Sequence, residues 1–202
     1  MTKAKIHPSK QALIEAAVAL LDEDPSEHFS VDTVLERSGI SRGSLYHHFD
    51  DYNDVIEQAK VFQFSRFVDA SAERFAEILK DIEYPDQLKV ALHGVTKITQ
   101  APASKNVRVT RARIIGEASS VPRFAAKLQI EIDRLTNAIE TSVQGAIDSG
   151  LFNKRFTART IAVFIQAYTL GKVLDDLASV KVSEEDWNSL IDAIIAEVFI
   201  AS

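Results

Sequence analysis

The sequence predicts an all-α protein, and two features of its pattern carry that prediction. Apolar residues recur three and four positions apart along most of the chain, whereas the alternation typical of a half-buried strand is rare. The seven glycines and five prolines are scattered over 202 residues, so long helices can form between them. The absence of cysteine excludes a disulfide framework. No run of 18 or more apolar residues occurs, and we therefore expect no membrane-spanning helix.

Three short helices are predicted at the N-terminal end. The first covers residues 9–22 with Ser9 as its N-cap, and Ser30 caps the second, which ends at Gly39. Ser41 then caps a third short helix. The interval between the second and third helices leaves a turn of about three residues, which is the length typical of a helix-turn-helix.

Six mostly longer helices are predicted behind this group. Prolines and glycines set most of their ends, and Ser183, followed by three acidic residues, is a strong signal for the start of the last one. The predicted ranges are 53–81, 86–100, 106–118, 123–149, 157–179 and 184–201. The chain is therefore expected to divide into residues 1–52, with the helix-turn-helix, and residues 53–202.

The segment ISRGSLYHHF, residues 40–49, concentrates side chains that could do chemistry. Two adjacent histidines point about 100° apart on a helix and cannot easily chelate one ion, so no metal site is expected. Ser44 and His48 are four residues apart, but no glycine-rich nucleophile elbow surrounds them, and no catalytic site is expected. Helical spacing directs Leu45 and Phe49 to the core.

Contact with nucleic acid accounts better for the other face of this short helix. That face carries Arg42, Gly43, Tyr46 and His47. A short helix after a tight turn fits a major groove about 12 Å wide, where an arginine reaches guanine edges or phosphate. Tyrosine and histidine donate to phosphates or touch base edges, and the first backbone N–H groups of the helix suit an anionic phosphate.

The run FSVDTVLERSGISRGSLYHHFDDYNDVIEQA, residues 29–59, resembles the signature of the TetR family of bacterial transcriptional regulators. The positions that agree in register are Ser30, Gly39, Ile40, Ser41, Gly43, Ser44, Leu45, Tyr46, His48 and Phe49. The order of the predicted helices resembles the family as well, although the match in sequence covers only about residues 9–60. The resemblance implies a homodimeric repressor that binds a near-palindromic operator and is released by a small-molecule effector. No cofactor is expected, and the absence of cysteine fits a reducing cytoplasm.

The resemblance also implies roles for individual residues. Phosphate contacts would come from Ser30, Ser41, Tyr46 and His48, while Arg42, Gly43, Ser44 and His47 would lie nearest the bases. For His48, half-buried packing beside the core remains an equal alternative. Tyr52 occupies a position where the family usually has lysine or arginine; it can still donate to a phosphate but brings no charge.

The net negative charge of the N-terminal unit argues against strong DNA binding. Residues 1–52 contain five basic and nine acidic residues, whereas DNA-binding domains usually present a basic surface. We therefore expect weak non-specific DNA affinity, with specific binding supported by hydrogen bonds and by a basic arm of Lys3, Lys5 and Lys10. The alternative function is an interaction protein of the same fold whose DNA binding is weakened or lost.

The last two predicted helices are strongly apolar and indicate burial on more than one side. By resemblance, their dimer-interface residues would be Phe164, Tyr168, Leu174, Ile191, Ile194, Ile195 and Phe199. The alternative is that these side chains fill the protomer's own core.

An effector site is expected in residues 53–202, and its candidate residues are Phe62, Phe67, His93 and Arg111. Aromatic residues at helical spacing are more often core than ligand contacts. Lys105, Arg108 and Arg111 lie on one side of their predicted helix. They are either solvated charges or contacts with the N-terminal domain, whereas an inward-pointing Arg111 would imply an anionic effector.

Overall fold

The computed structural model describes residues 6–24 and 29–200. Its α-helices are α1 (Pro8–Glu23), α2 (Val31–Ser38), α3 (Arg42–His48), α4 (Tyr52–Lys80), α5 (Pro85–Gln100), α6 (Lys105–Ser119), α7 (Pro122–Asp148), α8 (Ala158–Gly171), α9 (Val173–Leu177) and α10 (Glu184–Ile194). A short 3₁₀ helix, Pro102–Ser104, precedes α6, and α10 continues as a π-helical turn, Ile195–Phe199. The all-α prediction is confirmed. Lys3 and Lys5 of the expected basic arm lie outside the described residues.

The caps predicted for the helix-turn-helix are confirmed. The Ser30 hydroxyl accepts the Thr33 N–H, and the Ser41 hydroxyl accepts the Ser44 N–H, each at 3.3 Å. Gly39 has φ +67°, the left-handed conformation that glycine adopts without steric cost after a helix.

The predicted cap of α1 is wrong. His7 caps the helix instead, with its Nδ1 accepting the Ser9 N–H at 3.3 Å. Pro8 occupies the first helical position, where its missing N–H costs nothing because the helix offers that group no partner. The helix therefore begins one residue before Ser9.

The last two predicted helices are both interrupted. The range 157–179 is divided at Lys172 into α8 and the short α9, immediately after Gly171, a residue type that is about 1 kcal/mol less favourable than alanine within a helix. α10 ends at Ile194 and gives way to the π-helical turn. In the described ranges, no helix is long and apolar enough to cross a bilayer.

Two apolar cores organise the molecule, and α4 belongs to both. The first turns of α4 place Val55 and Ala59 in a small core with α1, α2 and α3. Further along, the same helix places Phe64, Val68 and Phe75 in a larger core built with α5 to α8 and α10. Each fully buried large apolar side chain contributes about 1.5–3 kcal/mol, so both halves of the helix are firmly attached. One continuous helix therefore links the helix-turn-helix to the interior of the larger unit.

Most side chains predicted for a dimer interface lie within the protomer. Ile191, Ile195 and Phe199 are buried in the larger core. Phe164, Tyr168 and Ile194 are partly buried against that core. Leu174 differs, because it is 79% exposed. Much of the apolar pattern of α8 and α10 therefore lies in the protomer's own core, and which of these side chains meet a partner remains a prediction.

Candidate nucleic-acid interface and interior cavity

The third helix presents the face that its spacing predicts. Leu45 and Phe49 are buried in the small core and fix the helix against α1 and α4. Arg42, Gly43, Tyr46 and His47 are exposed, and Ser44 is partly exposed. A Cβ added at Gly43 would meet no atom within 4 Å, so the surface there is open to close approach by a large partner.

The arginine on this face already has an acidic partner. The Nη2 of Arg42 donates to Oδ1 of Asp32, which lies in the first turn of α2. Both side chains are exposed, and ion pairs of this kind contribute about 0–1 kcal/mol. The pair is therefore weak enough to open when a phosphate or a base edge competes for the guanidinium.

Three imidazole rings meet at the other end of the helix. The ring centroid of His48 lies 4.8 Å from that of His7 and 5.0 Å from that of His47. Partial burial lowers the pKa of His48, and the nearby His7, His47 and Lys10 lower it further. His48 is half-buried, as its alternative role required, and a neutral ring keeps one N–H that could be donated to a phosphate.

Tyr52 uses its hydroxyl within the fold. Its O–H donates to the Phe29 carbonyl at 3.1 Å, and its ring packs against the small core. A phosphate contact from this residue would require that hydrogen bond to break. Tyr52 therefore secures the segment before α2, and its role toward DNA remains a prediction.

Behind α3, a cluster of ion pairs joins the start of α4 to the start of α7. Arg123 contacts Asp51 at 3.0 Å and Glu57 at 2.8 Å, and Lys127 contacts Glu57 at 2.8 Å and also Asp54. The Arg123 guanidinium lowers the pKa of the Asp51 carboxyl. Asp54 and Glu57 are buried, so this cluster (Asp51, Asp54, Glu57, Arg123 and Lys127) fixes α4 to α7 close to the end of α3.

A cavity of about 300 Å³ lies in the larger unit, between α4, α5, α6, α7 and α8. Its volume is at the lower end of the roughly 300–1,000 Å³ usual for small-molecule sites. Apolar side chains dominate its wall, among them Phe67, Phe75, Val95, Leu135, Ile139 and Ile165. Among the described residues that line it, three are arginines (Arg74, Arg108 and Arg111) and none is acidic.

Two of these arginines are buried on α6, three residues apart, in contrasting environments. Arg108 forms a bidentate pair with Asp176 at 2.6 and 2.8 Å and donates to the Thr99 carbonyl at 2.6 Å. Arg111 is 6% exposed, and its guanidinium carbon lies 3.9 Å from the centroid of the Phe67 ring. Its Nε has no hydrogen-bond partner among the described residues, and burial lowers its pKa to about 10.

The four predicted effector residues are therefore not brought together. Phe67 and Arg111 line the cavity. His93 lies instead in a separate surface depression, where its Nδ1 is 2.6 Å from Oδ2 of Asp192, and Phe62 packs against the small core. His93 and Phe62 were wrongly grouped with the other two, because helical spacing gives the face of a residue but not the neighbour that the face meets.

Sequence reasoning did not find several polar residues of the cavity wall. Gln166 interrupts an apolar run on α8, and it donates from its side-chain amide to the Thr136 hydroxyl at 3.0 Å. Thr99 and Thr169 also line the wall. A polar amide within an apolar helix was the available signal for Gln166, whereas the threonines gave none.

Comparison with known proteins supports the interpretation of the N-terminal unit. Residues 13–59 match the family model described as "Bacterial regulatory proteins, tetR family". The HTH-type transcriptional regulator UidR of Escherichia coli is 21% identical over 200 residues, covering 99% of this chain and 97% of UidR. The regulator AcrR of Shigella flexneri is 21% identical over 183 residues, covering 84% of this chain and 79% of AcrR.

Solved structures share the fold over nearly the whole chain. A protein from Mesorhizobium loti described as a TetR-family transcriptional regulator has a TM-score of 0.71 at 15% identity, covering 98% of this chain and 100% of that one. A transcriptional regulator from Saccharomonospora viridis in complex with choline has a TM-score of 0.64 at 15% identity, covering 96% and 98%. At these identities the likeness establishes the architecture. Together with the matched N-terminal segment and the similarity to UidR along the chain, it shows that this protein resembles helix-turn-helix transcriptional regulators of the TetR family.

Proposed function

We propose that the protein is a cytoplasmic homodimeric repressor, which binds a near-palindromic operator through α3 and is released when a small molecule occupies the interior cavity. The observation that carries this proposal is the course of α4. Its first turns share a core with α3, and its middle contributes Phe67 and Phe75 to the cavity wall. A ligand that displaces the middle of this helix therefore acts on the helix-turn-helix directly.

The exposed face of α3 supports the DNA-binding step. In a dimer, two such helices would enter successive major grooves about 34–36 Å apart. Arg42, Tyr46 and His47 would supply most of the base and phosphate contacts. Ser41 lies at the start of the same helix, where backbone N–H groups favour a phosphate.

Exposed apolar side chains support a dimer, although they differ from most of those expected from the sequence. Leu174 and Leu177 on α9 are 79% and 70% exposed, and Val163 on α8 and Leu190 on α10 are each at least half exposed. These helices follow one another in the chain, and a contiguous exposed apolar patch is typical of a surface that meets a partner. We assign the dimer contact to these side chains, of which Leu174 is also predicted from the sequence.

The ligand-response step requires two states that differ in DNA affinity. An effector can change that affinity only to the extent that it binds one state better than the other. The Saccharomonospora viridis relative shows that a regulator of this fold can hold a small molecule. We propose that occupation of the cavity moves α4 against α7 and alters the spacing of the two recognition helices.

A second candidate function is a TetR-fold interaction protein with weakened DNA binding. The pairing of Arg42 with Asp32 favours it, because the one arginine of the recognition helix is partly neutralised by its own domain. The acidic excess of residues 1–52 acts in the same direction.

Fluorescence anisotropy with labelled DNA from the region upstream of the gene separates the two candidates. The protein would be titrated over a salt series, together with Arg42→Ala and Tyr46→Ala. Arg159→Ala is the matched control, since Arg159 is an exposed, ion-paired arginine on α8. A repressor predicts sequence-preferring binding that both α3 variants abolish and the control retains. A folded dimer without sequence-preferring binding at low salt would favour the interaction protein.

A further inference from the structure

The cavity contains a positive charge that no acidic residue neutralises within the described ranges, 6–24 and 29–200. Arg111 is more than nine-tenths buried, lines the cavity and stacks on Phe67, while its Nε has no hydrogen-bond partner in the part of the chain that the structure describes. Arginine remains charged at neutral pH even with the lowered pKa. A buried charge without a counter-ion is strongly unfavourable, so its retention calls for an explanation.

The neighbouring Arg108 shows what a structural arginine looks like in the same wall. Its guanidinium is fully engaged by the Asp176 carboxylate and by the carbonyls of Thr99 and Ala101. Arg111 lies one turn further along α6 and has a ring face as its main contact. A guanidinium that lies over a ring face keeps the N–H groups at its edge for hydrogen bonds, and such groups would serve to bind a ligand.

We propose that the cavity binds a small amphipathic monocarboxylate, with its carboxylate paired to Arg111 and its apolar body against the apolar wall. This inference rests on the proposed function, since it names the chemical class of the effector. One buried unpaired cation matches one negative charge, and a planar guanidinium matches a carboxylate bidentately. The partly open edge of the cavity carries Arg74, which adds further positive potential.

The size and charge of the cavity favour a small anion over other classes of ligand. About 300 Å³ leaves room for roughly ten to fifteen non-hydrogen atoms, if each takes the ~30 Å³ of a water molecule or somewhat less. A cation such as choline would be repelled by Arg111 and would find no carboxylate among the described lining residues. A neutral ligand would leave the guanidinium uncompensated.

The test is calorimetric titration of the full-length protein with matched pairs of ligands. Phenylbutyrate and decanoate would be compared with phenylbutyramide and decanamide, which keep the shape and remove the charge, and with the cation phenylbutylamine. We expect the acids to bind roughly 10- to 100-fold more tightly than their amides, as a charge-assisted hydrogen bond predicts. Amides or the amine binding as tightly as the acids, or no acid of the panel binding, would overturn the proposal.

Two variants test whether Arg111 is the residue that gives the preference for acids over amides. Arg111→Gln should remove the advantage of acid over amide, whereas Arg113→Gln should retain it, because Arg113 lies on the same helix, pairs with Glu117 and does not line the cavity. A preference for acids that survives in Arg111→Gln would show that another group recognises the anion and would overturn the assignment to Arg111.

The unfolding temperature of the ligand-free protein tests the proposal independently of which acids are chosen for the titration. Arg111→Met keeps an apolar side chain against Phe67 and removes the buried charge, so the ligand-free protein should unfold at a higher temperature than the wild type. Arg108→Met should unfold at a lower temperature, because it leaves Asp176 buried and unpaired. A lower unfolding temperature for Arg111→Met would mean that the cation serves the fold, and would overturn the proposal.

The DNA assay distinguishes failure of this inference from failure of the proposed function. Acids that bind through Arg111 without changing operator affinity would leave the carboxylate site intact and refute ligand-controlled repression. Operator release by the neutral amides, independent of Arg111, would support ligand-controlled repression and refute the carboxylate site.

Discussion

Arg42 on the recognition helix and Arg111 in the cavity wall have opposite environments. On the surface, Arg42 is exposed and paired with Asp32. In the interior, Arg111 is buried and has a ring as its main contact. Water screens the surface charge, so the presence or absence of a partner there changes little. The interior offers no such screening, and a missing partner there indicates a ligand.

The third arginine of the comparison is Arg108, which is buried like Arg111 and paired like Arg42. Its partner Asp176 on α9 shows that the fold can bury a carboxylate opposite a buried arginine. The contrast therefore depends on what lies opposite each guanidinium and not on the helix that carries it.

The largest change in the free energy of unfolding is expected from breaking the buried pair of Arg108 and Asp176. Asp176→Asn keeps the shape of the side chain but removes the charge that faces Arg108. We expect a loss of about 3–5 kcal/mol in the free energy of unfolding, measured by urea denaturation, because a buried cation is left uncompensated. Glu77→Gln, which alters an exposed pair on α4, should change stability by no more than about 0.5 kcal/mol. A similar small change for Asp176→Asn would mean that Arg108 and Arg111 are equivalent.

An intermediate effect is expected in the cluster between α4 and α7. Burial alone would raise the pKa of Glu57, but hydrogen bonds from Arg123 and Lys127 outweigh it and lower the pKa below its usual value. A carboxyl with a lowered folded-state pKa contributes stability above its unfolded pKa near 4.3, and that stability is lost as the pH falls through the folded-state value. Glu57→Gln should therefore cost about 1.5–3 kcal/mol at pH 7 and less at pH 3.

Denaturation of the wild type and Glu57→Gln between pH 7 and pH 3 checks this prediction. The free energies of unfolding of the two proteins should converge as the pH falls. Protonation of Glu57 removes the same negative charge in the wild type that the substitution removes in the variant. A constant difference across the range would show that Glu57 acts through packing and not through its charge.

The smallest effect, a change in operator affinity, is expected from the exposed pair of Arg42 and Asp32. Asp32→Asn should free Arg42 and strengthen operator binding by at most about fivefold, because an exposed pair is worth no more than about 1 kcal/mol. Anisotropy at low salt measures it, and Glu36→Gln, another exposed acid on α2, is the control for general charge. A gain well above that of the control would show that Asp32 restrains Arg42, whereas equal gains would reduce the effect to net charge.

Local features were predictable from the sequence because their causes are local. The caps at Ser30 and Ser41, the left-handed Gly39 and the burial of Leu45 and Phe49 depend on neighbours within a few residues. Hydrogen bonds to the next turn and helical periodicity decide all of them. The same local information failed at α1, where Ser9 and His7 both suit a cap and the position of Pro8 decided between them.

The all-α class, most of the helices, the exposed face of α3 and the resemblance to one family of regulators were predictable from the sequence alone. It placed Arg108 and Arg111 on one side of a helix but could not tell them apart, because the partner of Arg108 lies 68 residues away on α9. It could not decide between core and interface for Ile191 or Phe199 either, since both fates require the same apolar residues. Only the packing of distant helices decided which charge is neutralised, which apolar face is covered, and where a cavity remains.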